Sequence, residues 1–148
     1  GLPTVADDSG LEVDLLGGAP GVRSKRFSPE CGREGLELDQ ANNAHLLGLL
    51  GDAPPEERTG RYVCVAVLRR GDSETTLEEP TVVRGVAPGV ILDAPRGTGG
   101  FGYDPLFLDE ELGKTFAEIS PAEKNARSHR GRAFRALAEC LMATVGSS

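Results

Sequence analysis

The sequence predicts an α/β fold, and three stretches carry that prediction. "RYVCVAVLRR" (61–70) is apolar at both alternating sets of positions, the pattern of an interior strand covered on both faces. "SPAE" (120–123) puts Ser120 at a helix N-cap, Pro121 at the first helical position and Glu123 three residues past the cap. That spacing is a capping box. From about Arg33 to Leu50 the pattern is helical, with Leu46, Leu47 and Leu50 as its apolar stripe and Gly51 as its stop. Strands interleaved with helices make the class α/β.

The remaining elements follow in chain order. Residues 2–6 read as a short strand that ends at Asp7 and Asp8. "GLEVDLLGGAPGVRSKRF" then holds a Gly17-Gly18 turn and a Pro20-Gly21 loop pairing, and "DAPPEERTG" (52–60) is a polar loop. "GDS" (71–73) supplies a turn, with further strands predicted over 74–86 and 88–93. A last helix begins near Ser128-His129, its apolar positions Phe134, Leu137, Ala138, Leu141 and Val145 recurring at helical spacing. With 148 residues, 39% hydrophobic and 26% charged, the chain reads as one domain over 1–148.

Composition narrows the function. No run approaches the roughly 20 apolar residues of a membrane span, and the first residues carry neither a basic region nor a signal-like apolar core. A cytoplasmic location is the expectation. A net charge of −7 argues against general affinity for nucleic acid or anionic membrane. The charge is uneven, however: Lys124, Arg127, Arg130, Arg132 and Arg135 fall together with no acidic residue between them. Such a patch suits a small anion, or it is a solvated helix face. Cys31, Cys64 and Cys140 are far apart and read as reduced structural thiols, and His45 and His129 are too isolated for a zinc site.

Three stretches have the residue types for chemistry. In "TVADDSGLEV" (4–13), Asp7 and Asp8 are adjacent carboxylates. Such neighbours resist joint ionisation unless a cation or a set of donors compensates them, although the tetrapeptide also suits an ordinary turn. "RGTGGFGYDP" (96–105) packs glycines around Phe101 and Tyr103. Its amides are free to converge on an anion, and its rings to stack a base; a flexible hairpin is the other reading. Its spacing is neither a dinucleotide fingerprint nor a phosphate-binding P-loop. In "EKNARSHRGRAF" (123–134), His129 and Arg130 sit near a helix start, either as donors for phosphate or a base carbonyl, or as a cap and a solvated cation. The oxygen ligands of "DDSGLEVD" do not follow EF-hand spacing, and no D-x-D-x-T/V signature of a haloacid-dehalogenase-type phosphatase appears.

Taken together and in this order, "ADDSGLEVDLLGGAPGVRSKRF", "PRGTGGFGYDPLF" and "GKTFAEISPAEKNARSHRGRA" resemble the inosine triphosphate pyrophosphatase family. The resemblance implies an elongated mixed sheet flanked by helices, with two lobes and a central cleft. It also implies Mg²⁺ dependence, a homodimer, and hydrolysis of ITP, dITP and XTP to the monophosphate and pyrophosphate. By position, Asp8 matches the family's catalytic, metal-contacting aspartate and Asp7 its acidic neighbour, placed with it at the metal. Ser9, Phe101, Gly102, Tyr103, Asp104 and Lys124 match substrate-binding positions, and His129 and Arg130 the pair that reads the base. The small-molecule nucleotide is the expected partner. The family's first strand and its T-x-N-x-x-K loop have no counterpart in the sequence. The chain therefore reads as N-terminally incomplete, with little catalysis expected from these residues alone and a catalytically inactive nucleotide-binding fragment or regulatory protein as the alternative.

Overall fold

A computed structural model describes residues 3–29, 32–70 and 79–145, the side chains of 144–145 excepted. Strands β1 (Thr4–Val13), β2 (Thr59–Arg69), β3 (Thr81–Ile91), β4 (Phe107–Asp109) and β5 (Lys114–Thr115) form one sheet in sequence order. Helix α1 (Gly35–Leu50) follows β1, and α2 (Pro121–Arg127) and α3 (His129–Val145) close the chain. The α/β class stands. Every strand pairing among the described residues is antiparallel, so the parallel component of the mixed sheet implied by the resemblance does not appear there.

The first strand is longer than its sequence predicts. It runs through Asp7 and Asp8 to Val13, because β2 offers a continuous edge that pairs Thr4 with Arg69 at one end and Val13 with Gly60 at the other. Low strand propensity in the aspartates yields to that ladder and to the burial of Leu11 and Val13 at its far end. The strands predicted over 74–86 and 88–93 are likewise a single β3 where the chain is described. Pro88 interrupts nothing, since β4 reaches β3 only at Val90 and Ile91. The predicted turn at 71–73, the start of the 74–86 strand and Cys31 lie outside the described residues.

One face of the sheet makes the core. Leu11, Tyr62, Ile91, Phe107 and Phe116 pack with Leu46 and Leu50 of α1, while Cys64, Ala66 and Leu68 pack with Ala133 and Leu137 of α3. The other face of β2 is only half covered, with Val65 36% exposed, which corrects the reading of a strand buried on both sides. Among the described residues the cover on that face is partial, with Val63 buried and Val65 exposed, so alternation rather than a continuous apolar run shapes burial. On α3 the buried positions are Ala133 and Leu137; Ala138 and Leu141 of the predicted stripe are exposed. Cys140 is exposed too, whereas Cys64 is buried as predicted.

The helix termini match their sequence signals. Gly51 closes α1 at φ 50° with its N–H on the Leu47 carbonyl. Ser120 Oγ accepts from Glu123 N at 3.1 Å and Glu123 Oε2 accepts from Ser120 N at 2.9 Å. Ser128 ends α2 and also caps α3, its Oγ accepting the Gly131 amide at 3.0 Å. The two helices therefore meet at a fixed corner, and that corner carries Lys124, His129 and Arg130.

Candidate active site

A cleft of about 690 Å³ opens beside this corner, lined among others by Ser9, Phe101, Tyr103, Lys124, His129 and Arg130. Residues from all three sequence stretches thus meet in one place although they come from opposite ends of the chain.

The glycine-rich loop folds around Asp104. This carboxylate is 3% exposed and accepts from Tyr62 Oη at 3.1 Å, from the Phe101 amide at 3.0 Å and from Lys124 Nζ. Gly100 makes the closure possible: its φ is +67°, and a Cβ there would lie 2.1 Å from Asp104 Oδ2. The Gly102 amide donates to Asp39 Oδ2 at 2.8 Å, and its carbonyl accepts from Asn43 Nδ2 at 3.1 Å. Two loop amides that sequence alone offered to an anion are therefore bound by protein carboxylates.

The loop's two aromatics have different fates. Tyr103 is buried and donates its hydroxyl to the Ser24 carbonyl at 2.6 Å; burial, then the nearby Asp39 charge, pushes its pKa well above the ordinary tyrosine value. Phe101 is 76% exposed with Lys124 Nζ 4.2 Å from its ring centroid. It is the ring available for stacking.

His129 and Arg130 also line the cleft. The His129 imidazole is 9% exposed and stacks on Tyr62, with centroids 4.7 Å apart and planes 16° from parallel. Its Nδ1 has no partner. Burial, followed by the positive charges of Lys124 and Arg130, lowers its pKa from 6.5 to about 4. At neutral pH the ring is uncharged and offers one N–H donor and one acceptor nitrogen. Arg130 is held differently: its Nε donates to Asp7 Oδ2 at 3.0 Å and its Cζ lies 5.1 Å from the Phe134 centroid.

A consequence for stability follows from the His129 shift. Between pH 6.5 and about 4 the unfolded imidazole binds a proton that the folded one does not, so the fold loses stability as pH falls through that window. The full difference is about 3 kcal/mol by the per-unit conversion. Urea unfolding of wild type and His129→Phe at pH 7 and pH 4.5 measures it; the variant is expected to lose less stability on acidification, and equal losses would contradict the assignment.

The paired aspartates do not share a site. Consecutive strand residues project to opposite faces, and the β1 register confirms regular alternation at Asp7 and Asp8. Asp7 lies on the core face, across from Ala66, within 3.9 Å of Cys64 Sγ and in contact with Arg130. Asp8 projects from the other face, exposed, and among the described residues no ion pair engages it. No group of three His, Cys, Asp or Glu side chains capable of holding a metal occurs among the described residues.

Tyr62 and Asp39 line this cleft and Asn43 holds its glycine loop, none of them singled out from sequence, and Phe134, read there only as a core position of the last helix, lines it too. Asp39 and Asn43 had a detectable signal, because their spacing of i and i+4 puts both on one face of α1. Tyr62 had a weaker one as the polar-tipped ring of an otherwise apolar strand.

Comparison with known proteins agrees with the geometry. The model of the Ham1 family matches residues 1–140. A dITP/XTP pyrophosphatase of Frankia alni is 51% identical over 147 residues, covering 99% of this chain and 70% of that protein. The Escherichia coli dITP/XTP pyrophosphatase is 49% identical over 141 residues, covering 95% and 68%. Among solved structures, the Staphylococcus aureus Ham1 protein superposes with a TM-score of 0.84 at 37% identity, covering 97% of this chain and 68% of that one. On sequence and on structure, the chain belongs to the Ham1 family.

Proposed function

We propose that the protein hydrolyses the deaminated purine nucleoside triphosphates ITP, dITP and XTP to the monophosphate and pyrophosphate, as a cytoplasmic, homodimeric, Mg²⁺-dependent enzyme. The observation that carries the reading is His129, a neutral buried imidazole with an unpartnered Nδ1 in a cleft that also presents an exposed aromatic ring and a guanidinium. A base stacked on Phe101 would share its cleft with His129 and Arg130. The carbonyl at purine C6 of hypoxanthine or xanthine accepts from donors there, whereas the amino group of adenine sets donor against donor. A site built to pair a polar group rejects its mismatch strongly, because the buried donor goes unpaired.

Lys124 is the cation nearest this ring and supplies positive charge to the phosphates, with Ser9 as a hydroxyl donor from β1. The resemblance, rather than the lining of the cleft, assigns Asp8 the proton of the water that attacks the α-phosphorus as the bond to the β-phosphate oxygen breaks; its carboxylate leaves β1 on the face opposite Asp7. Mg²⁺ takes oxygen ligands and commonly needs only one or two carboxylates besides phosphates and waters. The exposed carboxylate of Asp8, in no ion pair among the described residues, fits that requirement, so Asp8 would hold the ion together with the substrate's own oxygens. When bound, the ion supplies charge neutralisation to the departing pyrophosphate.

Pyrophosphate release from dITP tests the reading. It is expected to require a divalent cation, to cease with chelator, and to fall by about 100-fold or more in Asp8→Asn, the scale of losing a positioned proton acceptor. Undiminished release by Asp8→Asn would remove Asp8 from the chemistry. Tight dITP binding with no release would favour the second reading, a nucleotide-binding chain without turnover.

A further inference from the structure

We propose that Asp7 is a positioning residue for Arg130, and that the two adjacent aspartates divide their work between opposite faces of β1. The inference rests on the nucleotide reading of the cleft and deepens it.

Arg130 stands at the second position of α3, with its side chain 63% exposed. An arginine so exposed ordinarily samples many rotamers, and ordering it on ligand binding costs entropy. Two features restrain this one. Asp7 takes Nε at 3.0 Å and approaches Nη2 at 3.5 Å, while the Phe134 ring lies beneath the guanidinium carbon at 5.1 Å. Asp7 is itself well anchored. It sits inside the β1–β2 ladder, its side chain is only 25% exposed, and Cys64 Sγ lies 3.9 Å from the same Oδ2 that receives Nε.

The carboxylate engages the Nε edge of the guanidinium, which leaves donors on the terminal nitrogens for an acceptor in the cleft. A planar fork fixed in advance loses less freedom per hydrogen bond formed. The pair also joins residues 123 apart in sequence, so it fixes the start of α3, and His129 with it, against β1.

This assignment separates cleanly from a role for Asp7 at the metal. A metal ligand acts only when the cation is present, whereas a positioning residue acts on the cation-free protein. Two measurements on the 148-residue chain decide between them. The first is the Arg130 side-chain Nε–H resonance of the ligand-free protein in EDTA. It is expected to be shifted and protected from solvent exchange in wild type, to be lost in Asp7→Asn, and to persist in Asp8→Asn. An unchanged Arg130 resonance in Asp7→Asn overturns the proposal.

The second is the dissociation constant of inosine monophosphate and of adenosine monophosphate, again in EDTA. Asp7→Asn is expected to weaken inosine monophosphate binding by about tenfold, the loss of one charge-assisted contact, and to narrow the preference over adenosine monophosphate. On an Arg130→Ala background the same change should have little further effect, because the contact it serves is gone. An equal loss on both backgrounds, or a loss that appears only with Mg²⁺, overturns the proposal. If wild type shows no preference for the inosine nucleotide, the base-reading function fails, while the Arg130 resonance still decides what Asp7 does.

Discussion

Gly85→Ala is expected to lower stability by about 3 kcal/mol, the upper range for forcing atoms into a filled core, and to weaken inosine monophosphate binding at least tenfold. The cause is backbone packed on backbone. Gly85 lies in β3 opposite Cys64, and α3 passes directly over it. A Cβ at Gly85 would stand 2.0 Å from the His129 carbonyl oxygen and 2.5 Å from the Ala133 amide nitrogen. Neither contact can be relieved by a side-chain rotation, so the first turn of α3 must lift. His129 and Arg130 lift with it, and displacements on the scale of 1 Å at a site are enough to cost about 100-fold in rate. Urea unfolding and calorimetric titration report the two effects. A variant with wild-type stability and affinity would show that α3 is not seated on the sheet as described.

Arg58→Met is expected to cost about 3–5 kcal/mol, from losing several hydrogen bonds that contribute about 1.5–3 kcal/mol each when one partner is charged. Arg58 is 3% exposed, and among the described residues its guanidinium donates only to backbone carbonyls: Ile91 at 2.8 Å from Nε, Gly51 at 3.2 Å and Ala53 at 3.3 Å from Nη1, and Leu92 at 3.1 Å from Nη2. One side chain thereby ties the C-terminal end of α1 to the end of β3. Methionine keeps the apolar stem but leaves those carbonyls without their donor, and an unpaired carbonyl at the buried Ile91 alone costs about 1–3 kcal/mol. Since domains hold only about 5–15 kcal/mol in total, the urea midpoint should shift by a large fraction of its value. A midpoint within experimental error of wild type would contradict this role.

Arg58 also shows what sequence reading does not reach. It lies in "DAPPEERTG", a stretch whose polarity marks a loop, and nothing local distinguishes it from a solvated arginine. Only the tertiary meeting of α1 and β3 supplies the carbonyls it caps. By contrast, the capping box at Ser120 and the stop at Gly51 were legible because both are local, closed within four residues of chain. The convergence of Phe101, Lys124, His129 and Arg130 was legible as a set only through resemblance, since no spacing rule relates residues on a loop to residues on two later helices.

The aspartate pair is the instructive intermediate. Read as the end of a strand, Asp7 and Asp8 look like one acidic site. Once β2 is seen to extend β1 past them, the period of two places them on opposite faces with different partners. The repulsion that makes the pair unusual is relieved by separation and by Arg130. What local propensity hid was the ladder, because two aspartates followed by serine and glycine are poor strand formers that a long partner nevertheless holds extended.

The most direct measurement is the ratio of pyrophosphate release from dITP to release from dATP, with Mg²⁺ and enough purified protein to read slow turnover. The account requires dIMP and pyrophosphate from dITP at a rate at least about 100-fold above that from dATP, the discrimination expected when a mismatched purine leaves buried donors unpaired. Equal rates from the two nucleotides, or orthophosphate and dIDP as the products, would contradict it.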